Sequence, residues 1–524
     1  MSNNLDFNQI VYFGDSLTDS GEFFALADLV LTVPFPSPLF GYQGQFSNGD
    51  VYADVAPELL GVNVQNFGVG GARALGEAPA AFLPFGPLGQ AFLDPNATPE
   101  DIQFVSEFDI NLGGQVGRFL ASLGGQPAEP GTAASIFIGL NDFNAFTPTP
   151  GGDILAEFST LAANVLGSTL GAAGALLQSG VSKVFINTLP PANFFPSFQF
   201  ADPQIQAIGV AALQQYNESL IATAEQTFGP AVEFVRFDVI GQQVLDDPSA
   251  FGFLNVTDPK FFGTGADPTI IDTPEGPVPF FAENPALDGL DEDQFAFVDF
   301  LHFSSALHGV FGAFKALSIE DGLTVLSEGN DRQSFGRDDD FVIAGAGNDK
   351  LFLRAGDDTV LAGTGNDKVF GGRGEDLISG GSGNDKLFGG RDDDVLGGGE
   401  GNDKLFGGRG NDLLIDGLGS DTAFGGRGDD QFVFTEASLI GGVNGQDHDV
   451  FIGGRGYDTL FLALSEETRN LVEADLDGGW FEYLGDIGVT TIGIENFVFV
   501  DSRLDLADAV SNGRVNEADL FGLV

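Results

Sequence analysis

The 524-residue chain contains no cysteine, which removes disulfides, thiolate nucleophiles and thiolate metal sites from consideration. Histidine is nearly as scarce: three residues leave few positions for an imidazole base. Cationic side chains are the third scarcity, with 21 Lys and Arg against 76 Asp and Glu and a formal net charge of -55. A field of that sign repels phosphate backbones and anionic lipid surfaces, so nucleic acid is not an expected partner. The opening residues MSNNLDFNQIVYFGDS lack a basic stretch followed by an apolar one. No run of about 18 apolar residues occurs anywhere. Neither a cleaved signal peptide nor a transmembrane segment is therefore expected.

What the chain has in abundance is glycine, 76 residues, and much of it follows a nine-residue period. Aspartates stand at 340, 349, 358, 367, 376, 385, 394, 403, 412, 421 and 430 without a slip. Two residues after each comes an apolar side chain: Val342, Leu351, Val360, Val369, Ile378, Leu387, Leu396, Leu405, Leu414, Ala423 and Phe432. Glycine permits left-handed backbone and close approach of successive turns, so each GGxGxD reads as a turn and the next three residues as a short strand whose middle side chain points inward. Two repeats make one coil. Stacked coils bury only a thin apolar line, and they bring carboxylates together that repel one another unless a cation lies between them. A hard, oxygen-seeking ion fits, and calcium is the match. Such an array folds with its metal. Arg354, Asp338 and Asp392 replace turn glycines, and the phase breaks after Asp430, resuming at Asp449 and Asp458.

The segment GGSGNDKLF, Gly380 to Phe388, resembles the calcium-binding nonapeptide repeat of RTX proteins. The resemblance implies Ca2+ at the eleven aspartates. It also implies export through a type I secretion apparatus by an uncleaved carboxy-terminal signal, placing the protein outside the cell or at its surface.

Residues 1–320 read differently. Apolar runs at Ile10 to Phe13, Ser135 to Gly139, Lys183 to Asn187 and Phe234 to Phe237 predict buried strands, with helices expected at Ile154 to Gln178 and Pro203 to Phe228. Strands alternating with helices indicate an α/β fold, a doubly wound parallel sheet whose ligands sit beyond the carboxyl ends of the strands. Four blocks follow these strands in order: Gly14-Asp15-Ser16-Leu17, Asn66 to Ala72, Gly139-Leu140-Asn141-Asp142, and Asp299-Phe300-Leu301-His302. In this order they resemble the GDSL lipases and esterases, the SGNH hydrolases. The resemblance implies Ser16 as nucleophile, His302 as base and Asp299 as the group orienting the imidazole. It implies an oxyanion hole from the backbone N–H of Ser16 and Gly71 and the side-chain amide of Asn141. Elimination agrees on the base: His448 lies beyond the array, which leaves His302 or His308, and His308 reads as a polar helix residue. Asp15, Asp19 and Asp142 read as loop and cap residues.

The expected organisation is a hydrolase domain over 1–320, an all-β parallel roll over 321–460, and a tail over 461–524 that caps the roll or carries the export signal. The expected activity is hydrolysis of a carboxylic ester or lipid substrate. Phospholipase and carbohydrate deacetylase are the nearer alternatives, and a non-catalytic calcium-dependent surface or matrix protein is the remoter one.

Overall fold

The computed structural model describes residues 5, 7–15, 17–19, 51–69, 72–75, 111–196, 198, 203–246, 304–435, 448–465, 468, 484, 487–500 and short stretches between 248 and 296. The chain divides into two compact units, Met1–Gln242 with Asn255–Ala316, and Gln243–Leu254 with Leu317–Val524.

In the first unit five parallel strands form one sheet. They are β1 (Gln9–Gly14), β2 (Asn63–Asn66), β3 (Thr132–Phe137), β4 (Lys183–Asn187) and β5 (Val232–Val235), in the spatial order β2-β1-β3-β4-β5. All six residues of β3 are buried, as a strand covered on both faces requires. The helices are α1 (Tyr52–Leu60), α2 (Leu112–Ser122), α3 (Leu140–Asn144), α4 (Ile154–Gln178), α5 (Pro203–Phe228), α6 (Phe237–Asp246) and α7 (Ser305–Leu317). Helices α4 and α5 coincide with the sequence expectation, while β3 and β5 lie two or three residues earlier than expected. The apolar run is cut by Gly139, whose φ of 118° starts α3. Helix α4 is long and apolar enough, by length and composition, to cross a membrane. It connects β3 to β4 and buries Phe158, Val165, Ala173 and Leu176. In this sheet order the chain reverses direction between β1 and β3, and the crevice outside the carboxyl ends of those two strands is where ligands bind in open parallel sheets.

The second unit is a roll of parallel strands in two sheets of nine and eight. Strand partners lie 18 residues apart, Leu351 beside Val369 and Leu387 beside Leu405, so two nonapeptides make each coil. Every apolar residue expected to face inward, from Val342 to Phe432, is buried in one continuous core. Outside it, Phe352, Phe370, Phe388, Phe406 and Phe424 stack with ring centroids 4.7–5.0 Å apart. Both sheets continue beyond residue 460: Asp449–Arg455 pairs with Val489–Ile492, and Thr459–Ala463 with Asn496–Val500.

Candidate active site and calcium array

At the end of β1 the chain must turn sharply, and Gly14 makes this possible because a Cβ there would strike Thr18 and the carbonyl of Phe137. Gln115 of α2 clamps the same residue from both sides: its Oε1 accepts from Gly14 N at 2.8 Å and its Nε2 donates to Gly14 O at 2.7 Å. Asn66, at the end of β2, donates from Nδ2 to Thr18 O at 2.6 Å and accepts from Gly68 N at 2.8 Å. The N–H of Val69 donates to Gly14 O. Asn141 of α3 donates from Nδ2 to Ala72 O at 3.0 Å, and Asp142 accepts from the N–H groups of Ala74 (2.7 Å) and Leu75 (3.3 Å). Burial pushes the Asp142 carboxyl above its ordinary range, and those two N–H groups oppose the shift. Thus the Gly14, Asn66 and Gly139 blocks are knitted together at the carboxyl ends of β1, β2 and β3.

Ser16, Gly71, Asp299 and His302 lie outside the described residues. His308 is described: it is buried on α7 and its Nδ1 accepts the Tyr52 N–H at 3.1 Å, the bond of a packing residue. Two buried polar side chains, one clamping the β1 turn and one in the sheet core, were invisible to sequence reasoning. Gln115 carries no motif, since a glutamine on a helix is usually solvated. Lys315 of α7 has no exposed surface; its Nζ donates to Ser135 Oγ and to Asn187 Oδ1 (3.1 Å) and lies 4.6 Å from the Tyr12 ring centroid.

In the roll, the repeat aspartates form two rows. Oδ1 of each accepts the backbone N–H of the aspartate one coil earlier: Asp349 from Asp331 (2.7 Å), Asp367 from Asp349 (2.7 Å) and Asp385 from Asp367 (2.6 Å) in one row, Asp376 from Asp358 (3.1 Å) and Asp394 from Asp376 (3.0 Å) in the other. Oδ1 of Asp358, Asp403, Asp412, Asp421 and Asp430 does likewise. At the start of the row Asp340 is half-buried and donates its N–H to Asp358.

The second oxygens make the case for a metal. Oδ2 of Asp340, Asp349, Asp367, Asp394, Asp403, Asp412, Asp430 and Asp458 is buried without a hydrogen-bond partner. Beside several of them is a turn glycine, Gly389 at Asp394 and Gly407 at Asp412, where a Cβ would overlap Oδ2. A buried unsatisfied carboxylate is costly, so this donor set with a cradle left clear beside it fits a hard cation. With protons alone to compensate, burial pushes the Asp394 carboxyl up to about 9, with the charges of Asp376 and Asp412 adding to the shift, and Asp412 up to about 8. Burial likewise raises Asp367, Asp403 and Asp430 to about 7.

A family model described as GDSL-like Lipase/Acylhydrolase matches residues 10–313. The model of the RTX calcium-binding nonapeptide repeat (4 copies) matches 336–369, 361–396, 397–432 and 444–461, so the array is calcium-binding. Among curated proteins, the chain is similar to the thermolabile hemolysin of Vibrio parahaemolyticus serotype O3:K6, 24% identical over 264 residues covering 48% of this chain and 51% of the relative. It is similar also to the phosphatidylcholine-sterol acyltransferase of Aeromonas hydrophila, 23% identical over 261 residues covering 49% and 67%. The chain thus spans about half the length of the first of these. A solved structure of a possible lipase from Chitinophaga pinensis DSM 2588 shares 15% identity at a TM-score of 0.29, covering 59% of this chain and 96% of that one.

Proposed function

Because this chain belongs to the GDSL-like lipase/acylhydrolase family, we propose that its first domain, residues 1–320, is a serine hydrolase that cleaves carboxylic esters. Ser16 Oγ attacks the ester carbonyl while His302 takes its proton, and Asp299 holds the imidazole in register. The proton then passes to the leaving alkoxide, and water repeats the sequence on the acyl-enzyme. The observation that carries the reading is the knitting of the Gly14, Asn66 and Gly139 blocks at the β1/β3 crevice. Asn141 supports it further. Its amide has two N–H groups, and the one donated to Ala72 O fixes the plane of the other, which joins the N–H of Ser16 and Gly71 as an oxyanion donor.

A phospholipid is the favoured ester, because the relatives are named for hemolysis and for phosphatidylcholine-sterol acyl transfer. The second of these names also favours a second reading, in which an alcohol rather than water accepts the acyl group. Residues 321–460, with 461–524 as cap or export signal, form the calcium-stabilised part of a protein secreted through a type I apparatus to a calcium-rich exterior.

Ser16→Ala and His302→Ala should each abolish nearly all hydrolysis of nitrophenyl esters. Asn141→Ala should lower turnover about 100- to 1,000-fold with KM little changed. A folded Ser16→Ala protein working at the wild-type rate refutes the assignment. Phosphatidylcholine vesicles with and without cholesterol, run beside acetylated sugars, distinguish the substrates: sterol ester indicates transfer, free fatty acid alone indicates hydrolysis, and acetate alone refutes the phospholipid.

A further inference from the structure

The turns on one edge of the roll begin with a small residue. Gly380 and Gly398 start two successive turns, and at each a Cβ would lie against Oδ2 of the aspartate five residues on, 2.6 Å from Asp385 and 2.7 Å from Asp403. The next turn in this series, residues 416–421, breaks the rule. It begins with Asp416, so a carboxylate enters the cradle that the neighbouring turns leave clear.

Two observations single out this substitution. First, the regular spacing ends at this level. Asp421 donates its N–H to Asp449 Oδ1 at 2.9 Å across 28 residues, where every earlier rung of the row spans 18. Second, Asp416 is 1% exposed and neither of its carboxylate oxygens has a well-formed hydrogen bond, the backbone amides of Gly417 and Thr435 being the groups that approach it. Its carboxylate and those of Asp421 and Asp449 lie with ligand oxygens within 4.8 Å of one another, all three residues being buried.

We propose that Asp416, Asp421 and Asp449 hold a calcium ion in a tricarboxylate site of a kind the nonapeptide formula does not encode, placed at the level where the regular coil gives way to a longer one. Among the described residues this is the one place where three carboxylates offer ligand oxygens all within 4.8 Å of one another. Three carboxylates bring three charges to one ion, and carboxylate count is what tightens calcium binding within an oxygen-ligand site. This ion is therefore the tightest in the roll and locks the longer coil to the regular stack. The inference does not depend on the hydrolase reading.

Equilibrium dialysis of radioactive calcium against the full-length protein tests it. The wild type should show one tight class of site per chain. Asp416→Asn, and Asp416→Gly, which restores the residue of the neighbouring turns, should weaken that class about tenfold or more, leaving the weaker sites and the strand circular dichroism in saturating calcium unchanged. Crystals loaded with terbium should show an anomalous peak between the three carboxylates, and that peak decides the matter if a variant fails to fold. Identical isotherms for wild type and both variants, or no terbium peak there, overturn the proposal; protons would then neutralise the cluster.

Discussion

Lys315 stands on α7 with its amine in the sheet core, against Ser135, Asn187 and the Tyr12 ring. Burial lowers its pKa well below the ordinary lysine value. The sign of the consequence follows from linkage. In the unfolded chain the amine is protonated up to about pH 10.4, while in the folded chain it gives up its proton at lower pH. The unfolded state therefore binds the extra proton, and the lysine's contribution to stability is full above that pH and is lost as pH falls through the folded pKa. Urea midpoints of the full-length protein in calcium should accordingly rise between pH 7 and 9, and Lys315→Met should flatten that rise. An equal rise in the variant would show that other groups cause it. Nothing in the sequence flags this residue, since a lysine between Phe314 and Ala316 on an amphipathic helix ordinarily extends to solvent.

Among the elements, the nonapeptide turn is the most legible in sequence and the least tolerant of change. Gly383 has φ of 139°, and a Cβ on it would overlap the carbonyl oxygen of Gly365 one coil away. Gly383→Ala should therefore cost more than about 2 kcal/mol, read as a lower melting temperature in saturating calcium. Arg354 is the converse: it occupies a glycine position at φ of 77°. Arg354→Gly should raise the same melting temperature by the equivalent of about 0.5–1 kcal/mol, because left-handed backbone strains an L-residue. A neutral result for both would mean that the turns relax. The inward row from Val342 to Phe432 could be read from the sequence because a strict period fixes which residue of each short strand faces in. Helices α4 and α5 were equally plain from their apolar spacing. The start of β3 was not, because Thr132 to Ala134 is too short and small to distinguish from a loop. The meeting of the Gly14, Asn66 and Gly139 blocks was legible from their order after the strands, but the Gln115 clamp on Gly14 joins residues 101 positions apart and leaves no local trace.

At the scale of the whole molecule, charge and metal decide what is folded and when. More than half of the acidic excess lies before residue 321, so calcium relieves repulsion in the roll without neutralising the protein. Chelation should abolish strand circular dichroism and amide protection in 329–460, magnesium should not restore them, and ester hydrolysis should persist because the first unit has its own core. Equal protection with and without calcium would contradict the metal-dependent fold. The aspartate rows add a direction. Each N–H is satisfied by the carboxylate of the following coil, and one row terminates where Asp458 N meets Glu495 Oε2 at 2.9 Å. Removing the first coil bares a carboxylate oxygen, which water solvates readily; removing the last orphans an amide and undermines every rung before it. The roll thus has a keystone end and an expendable end. Glu495→Ala should speed amide exchange first at Asp458, then Asp430, then Asp412, in that order, whereas uniform loosening along the row would show that the coils hold one another without polarity. A chain assembled this way sets from its carboxyl end backward, as a row of books stands only once the bookend is in place.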